Sequence, residues 1–158
     1  METKTTHPLD NKLVLTMANR SQNQSIARTA VAAFVAPLDP SLEEMIDIKT
    51  AVSEAVTNAM IHGYGDSSPG ASFDSPDDAP GEVVMTLSHR GRVVTVVVAD
   101  TGVGIADVDQ AMLPTYTSRP DTERSGMGFT MMECFMDDMR VESALGVGTT
   151  VTMTKKLV

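Results

Sequence analysis

The sequence predicts an α+β protein, a two-layer α/β sandwich in which helices pack on one face of a mixed or antiparallel sheet. Three observations predict it. Strand-like and helix-like runs follow one another in the order β-α-α-ββ-α-ββ, which sets paired strands and several helices against a common core. Two β-rich stretches each surround a turn and read as hairpins. The 158 residues suffice for one domain with a real core, and no internal repeat divides them.

Each element has its own signature. KLVLTMA, 12–18, reads as the first strand. Ser21 and Gln24 form an S-x-x-Q capping pattern ahead of a helix whose apolar stripe is Ile26, Ala30, Ala33 and Phe34. Pro37 ends that helix. Ser41 and Glu44 repeat the cap as S-x-x-E and open a second helix reaching about Ile61, with Met45, Ile48, Val52, Val56 and Ala59 on one face. Residues 66–81 carry four aspartates with Gly, Pro and Ser, and no Lys or Arg. They read as a flexible acidic surface loop. A linker is the other reading, but each flank is too short for an independent core, so residues 1–158 are expected to form a single domain.

Residues 82–100, EVVMTLSHRGRVVTVVVAD, form a hairpin around HRG, and DTGVGI then breaks the strand. Residues 106–125 look irregular, 127–138 look helical, and 140–157 form a second hairpin with GVG at its turn.

Composition removes several function classes. Hydrophobic residues are 42% and charged residues 21%, ordinary for a soluble globular chain. Trp is absent and aromatics are 4%, so Val, Leu, Ile, Met and Ala must fill the core. The methionines that follow residue 126 are most simply core filler. The net charge of −9 argues against an electrostatic grip on nucleic acid or anionic membrane, and leaves a basic protein partner open. Cys134 is the sole cysteine, so no intrachain disulfide forms, which fits a reducing cytoplasm. METKTTHPLDNK has no apolar core of the signal-peptide type, and the longest apolar run, around Val93 to Ala99, is too short to span a bilayer. The expectation is a soluble, cytoplasmic protein.

Three short stretches carry the candidate chemistry. In SEAVTNAMIHG, Glu54 and Asn58 stand four apart on one helix face, away from the apolar stripe. The pair fits an ordinary solvated face. It also fits a carboxylate that deprotonates a nucleophile beside a carboxamide that offers oxygen to Mg²⁺. His62, one turn on, reads as structural. In DTGVGI, Asp100 ends a strand before Gly102 and Gly104. This fits a strand-ending turn. It also fits a buried acceptor for an exocyclic amine such as that of adenine, with backbone close to the base. In RSGMGF, Gly126-Met127-Gly128 precedes a helix, with Arg124 and Ser125 just before. It is neither a P-loop nor a dinucleotide fingerprint. It has the ingredients of an anion site, namely outward N–H groups, a positive helix end and a permanent cation. A glycine-rich helix start beside a surface arginine fits equally. Thr149 and Thr150 begin the last strand as ordinary β-formers, or with one hydroxyl facing a base.

In this order, E-x-x-x-N, D-x-G-x-G and G-x-G resemble the N, G1 and G2 boxes of the GHKL ATP-binding superfamily, which includes histidine kinases, gyrase-type ATPases, Hsp90 and MutL. SQNQSIAR, LDPSLEEMIDIKTAVSEAVTNAMIHGY and ERSGMGFTMMECFMDD are similar to the anti-sigma F factors, serine-protein kinases of spore-forming bacteria. That similarity runs from about Leu13 to Lys156.

The resemblance implies a Bergerat-type ATP fold and a homodimer that holds a sporulation sigma factor away from RNA polymerase. It implies phosphorylation of a serine on an anti-anti-sigma protein, with ATP or ADP deciding which partner is held. Residue by residue, it implies Glu54 as general base and Asn58 as Mg²⁺ ligand. It makes Asp100 the adenine acceptor, with Gly102 and Gly104 beside it and Thr149 nearby. Residues 112–125 match the ATP lid, with Arg119 and Arg124 as phosphate contacts. Ser125, Gly126, Met127, Gly128, Phe129 and Thr130 match the phosphate loop. Arg28 matches an arginine that touches both protein partners. The segment 66–81 looks longer than the family's usual connection. Three alternatives stand beside this reading. They are a general-stress anti-sigma B-type kinase, a non-catalytic ATP-dependent sigma-binding module, and a detached histidine-kinase ATPase domain, which would lack its usual helix for dimerisation and phosphotransfer.

Overall fold

A computed structural model describes residues 10–63, 81–113 and 128–158. Its elements are β1 (Asn11–Ala18), α1 (Gln22–Val35), α2 (Leu42–Asn58), β2 (Glu82–Arg90), β3 (Val93–Asp100), α3 (Val108–Ala111), α4 (Gly128–Phe135), β4 (Asp138–Ala144) and β5 (Gly148–Lys156). A 3₁₀ turn, Ala36–Leu38, follows α1, and a π-helical turn, Ala59–Gly63, follows α2. The strands form one sheet in the order β1-β2-β3-β5-β4. Every pairing is antiparallel, so nothing in the sheet is mixed.

Alternation sorts the sheet into two faces. Val83, Met85 and Leu87 of β2, Val94, Val96 and Val98 of β3, and Val151 and Met153 of β5 are buried on the helix side. They form one core with Val31, Phe34 and Val35 of α1, Ile48, Val52 and Val56 of α2, and Met132 of α4. The opposite face is threonine- and valine-rich and half-exposed, as at Thr86, Val97 and Thr152.

Local chemistry explains most boundaries. Ser41 caps α2 as a complete box, its hydroxyl accepting from Glu44 N at 3.1 Å while the Glu44 carboxylate accepts from Ser41 N at 2.8 Å. Ser21 forms no such cap, because it is itself helical and its side chain takes no cap hydrogen bond. The start of α1 is instead tied to β1 by Asn23 Nδ2 donating to Ala18 O at 2.8 Å. The buried face of α1 is Ala27, Val31, Phe34 and Val35, while Ile26 and Ala33 of the expected stripe are exposed. The turn between β2 and β3 is Gly91-Arg92, with His89 and Arg90 still paired in the strand. Residues 106–113 are not wholly irregular, because Asp107 caps the short α3 through Gln110 N at 3.0 Å. The expected loop 66–81 lies outside the described residues except for Gly81, and so does the expected lid from residue 114 onward.

Candidate nucleotide site

Two clusters of predicted residues take shape. The first lies where α2 meets α4. Glu54 and Asn58 are both half-buried, while Ala51, Val52, Ala55 and Val56 between and before them are buried. The helix thus turns its polar stripe away from the core. Gly128, first residue of α4, sits directly against Asn58. A Cβ placed there would stand 2.8 Å from Asn58 Nδ2 and 3.2 Å from Oδ1. A larger residue at 128 would have to push the Asn58 carboxamide aside, so glycine lets the start of α4 pack directly on it. The π-helical turn begins immediately after Asn58 and packs against β3 and β5. Such turns are frequent at functional sites.

The second cluster lies at the end of β3. Asp100 is only 8% exposed. Burial pushes its carboxyl above the ordinary value, and hydrogen bonds from Gly102 N and the Thr149 backbone offset part of this. The Gly102 N–H donates to Asp100 Oδ1 at 2.9 Å, the turn an aspartate makes with its own backbone. Gly104 serves the backbone. At φ +76° its Cβ would lie 2.1 Å from Ala144 O, so the loop can lie on the β4–β5 turn only with glycine there. The same two loops join through Gly146 N donating to Val103 O at 2.9 Å.

Thr149 stands opposite Asp100 across β3 and β5, and opposite Ser143 across β5 and β4. The sequence pointed to Thr149 but not to Ser143 or Gly148. Gly148, at φ +130°, would place a Cβ 2.1 Å from Asp100 O. The signal for Ser143 was the hairpin register itself, since a three-residue turn at Leu145–Val147 sets Ser143 against Thr149.

The remaining predicted residues are distributed as follows. Phe129 is partly buried and packs against the core, and Thr130 is half-buried beside it. Arg28 is exposed on α1. Arg119, Arg124, Ser125, Gly126 and Met127 lie outside the described residues. Among the described residues no group of three or more His, Cys, Asp or Glu could hold a metal ion. The Asn58 side-chain oxygen is the donor here that would hold an Mg²⁺, a sparse donor set that suits this ion because it shares its ligands with water and substrate phosphates. No helix among the described residues is long and apolar enough to cross a membrane.

Comparison with known proteins agrees with the geometry. Residues 17–155 match the histidine kinase-like ATPase domain. The chain is 53% identical to an anti-sigma F factor of Clostridium novyi, covering 93% of this chain and 95% of that one. It is 52% identical to an anti-sigma F factor of Pasteuria penetrans, covering 93% and 91%, and 48% identical to one of Priestia megaterium, covering 94% and 95%. In structure it is similar to the RsbU and RsbW domains of Rv1364c from Mycobacterium tuberculosis, with a TM-score of 0.62 at 22% identity. That match covers 93% of this chain and 32% of the other, and it bears on the fold alone. The chain therefore belongs to the anti-sigma F factor family, on a histidine kinase-like ATPase domain of the GHKL type.

Proposed function

We propose that the protein is an anti-sigma factor that binds a sporulation sigma factor as a homodimer, and a serine kinase that inactivates an anti-anti-sigma protein with Mg-ATP. The observation that carries this reading is Asn58 packed on Gly128 at the start of α4, one turn from Glu54. It sets a carboxamide, a carboxylate and a positive helix end in one neighbourhood.

Phosphoryl transfer needs little covalent help from a protein and depends on positioning and electrostatics. Asn58 would hold an Mg²⁺, which would neutralise charge on the phosphate oxygens. The N–H groups at the start of α4, with Gly126, Met127 and Ser125, donate to the phosphate chain. Arg124 and Arg119 add charge at its far end. Asp100 takes an N–H of the adenine amino group, and Thr149 stands beside it. Glu54 removes the proton from the incoming serine hydroxyl. Exposed Arg28 belongs to the surface that meets sigma and its antagonist.

The test is transfer of label from γ-labelled Mg-ATP to the antagonist's serine, wild type beside Glu54→Gln. The expected loss is about 10²–10⁴-fold in transfer, the usual worth of a general base, with ATP affinity kept. Near-normal transfer by the variant removes Glu54 from the chemistry. No label with wild type, despite ATP and sigma binding, leaves a nucleotide-gated binding module.

A further inference from the structure

We propose that Ser143 sets the hydrogen-bonding sense of Thr149, so that the base corner of the site offers only acceptors and selects a 6-amino purine over a 6-oxo one. This rests on the nucleotide reading above. Asp100, Thr149 and Ser143 occupy one row across β3, β5 and β4. The row faces the helices, because the next row inward carries buried Val98 and Val151.

The Ser143 hydroxyl has three partners and one proton. Ile105 N donates to its oxygen at 2.7 Å. Its oxygen lies 2.9 Å from Gly148 O and 2.8 Å from Thr149 Oγ1. A carbonyl can only accept, so the Ser143 proton must go to Gly148 O if that contact is a hydrogen bond. The contact with Thr149 is then a bond only if Thr149 donates. One arrangement alone therefore makes all three contacts hydrogen bonds, and it commits the Thr149 proton to Ser143. Toward anything else, Thr149 Oγ1 shows lone pairs. Beside it the Asp100 carboxylate, when ionised, is also only an acceptor. An amine with two N–H groups complements this corner, and a carbonyl oxygen does not. A site built around hydrogen bonds of one sense discriminates strongly against a ligand that lacks them.

The test is calorimetric affinity for Mg-ATP and Mg-ITP, which differ at position 6, amino against oxo, and at N1, which carries a hydrogen only in ITP. Wild type is expected to prefer ATP. Ser143→Ala frees the Thr149 proton to rotate and donate, and the ATP/ITP preference should fall about tenfold, the scale of one neutral hydrogen bond. Ser143→Cys fills the same space with a weak hydrogen-bonding group and should act in the same direction, which covers a failure of the alanine variant to fold. Placed on Thr149→Val, Ser143→Ala should change the preference no further. Equal weakening of both nucleotides with an unchanged ratio makes Ser143 merely structural and overturns the proposal. Wild type that binds both nucleotides alike overturns the acceptor-only corner while the nucleotide reading stands. Wild type that binds neither overturns that reading as well.

Discussion

Glu44 and Asp100 are carboxylates of equal exposure, 8% each, at opposite ends of the layer between sheet and helices. Glu44 lies where β5 ends. Its carboxylate accepts from Ser41 N at 2.8 Å and from Val158 N at 2.7 Å. Those two bonds, Val158 first, hold its carboxyl below the ordinary value. The surroundings are similarly satisfied. Lys155 Nζ donates to Phe135 O at 2.7 Å and to Asp47 at 3.2 Å, while Arg92 donates to Leu38 O at 2.7 Å and to Val158 O at 2.8 Å. Asp100 lies where β3 ends, and there desolvation outweighs the hydrogen bonds, so its carboxyl is pushed up. One pole uses charge to close the fold. The other keeps a charge under-solvated, and a ligand donor would relieve it. A carboxyl raised by burial at the end of a strand is one mark of a functional site.

Variants at glycines sharpen the contrast most. Gly104→Ala meets both a left-handed backbone and the Ala144 carbonyl. The expected cost is about 2–5 kcal/mol, the sum of the left-handed cost and overpacking. Gly146→Ala has a similar φ of +75° but nothing within 4 Å. It should cost only about 1–2 kcal/mol, the left-handed term alone. Urea unfolding of the two variants side by side checks this. Equal losses would mean that the close approach between the two loops contributes nothing.

The smallest effect belongs to Glu44→Gln and is best seen through pH. The folded carboxyl is depressed below 4.5, so its ionised form contributes stability above that pH. That contribution is lost as pH falls through the folded value. Wild type should therefore melt above the variant at neutral pH, and the two curves should converge on acidification. A gap that persists into acid would place the role of Glu44 in packing instead of charge.

Much of this contrast was legible in the sequence. The box at Ser41 and Glu44 was readable because both partners are local and both were needed. The same pattern at Ser21 and Gln24 misled, because tertiary attachment through Asn23 sets the start of α1. The stripe of α1 was displaced by one position, which a run as rich in alanine as Ala30, Ala32 and Ala33 does little to prevent. Asp100, Gly102 and Gly104 were found as a motif, but the reason for Gly104 was not. Its constraint comes from Ala144, forty residues away in sequence, and is invisible until the strands pair. Ser143 was missed for a related reason. A serine in a strand has no local signature, and its three partners come from the loop after β3 and from the start of β5.

Asp100→Asn tests the comparison most directly, read by Mg-ATP titration and by thermal melting without nucleotide. The folded carboxyl is raised, so its ionised form costs stability above the folded pKa, and that cost fades as pH falls through it. Removing the charge should leave the nucleotide-free melt unchanged or higher at neutral pH. Affinity should fall about 10–100-fold, the scale of one charge-assisted hydrogen bond. Unchanged affinity together with a lowered melt would make Asp100 a second structural carboxylate like Glu44 and would contradict the account.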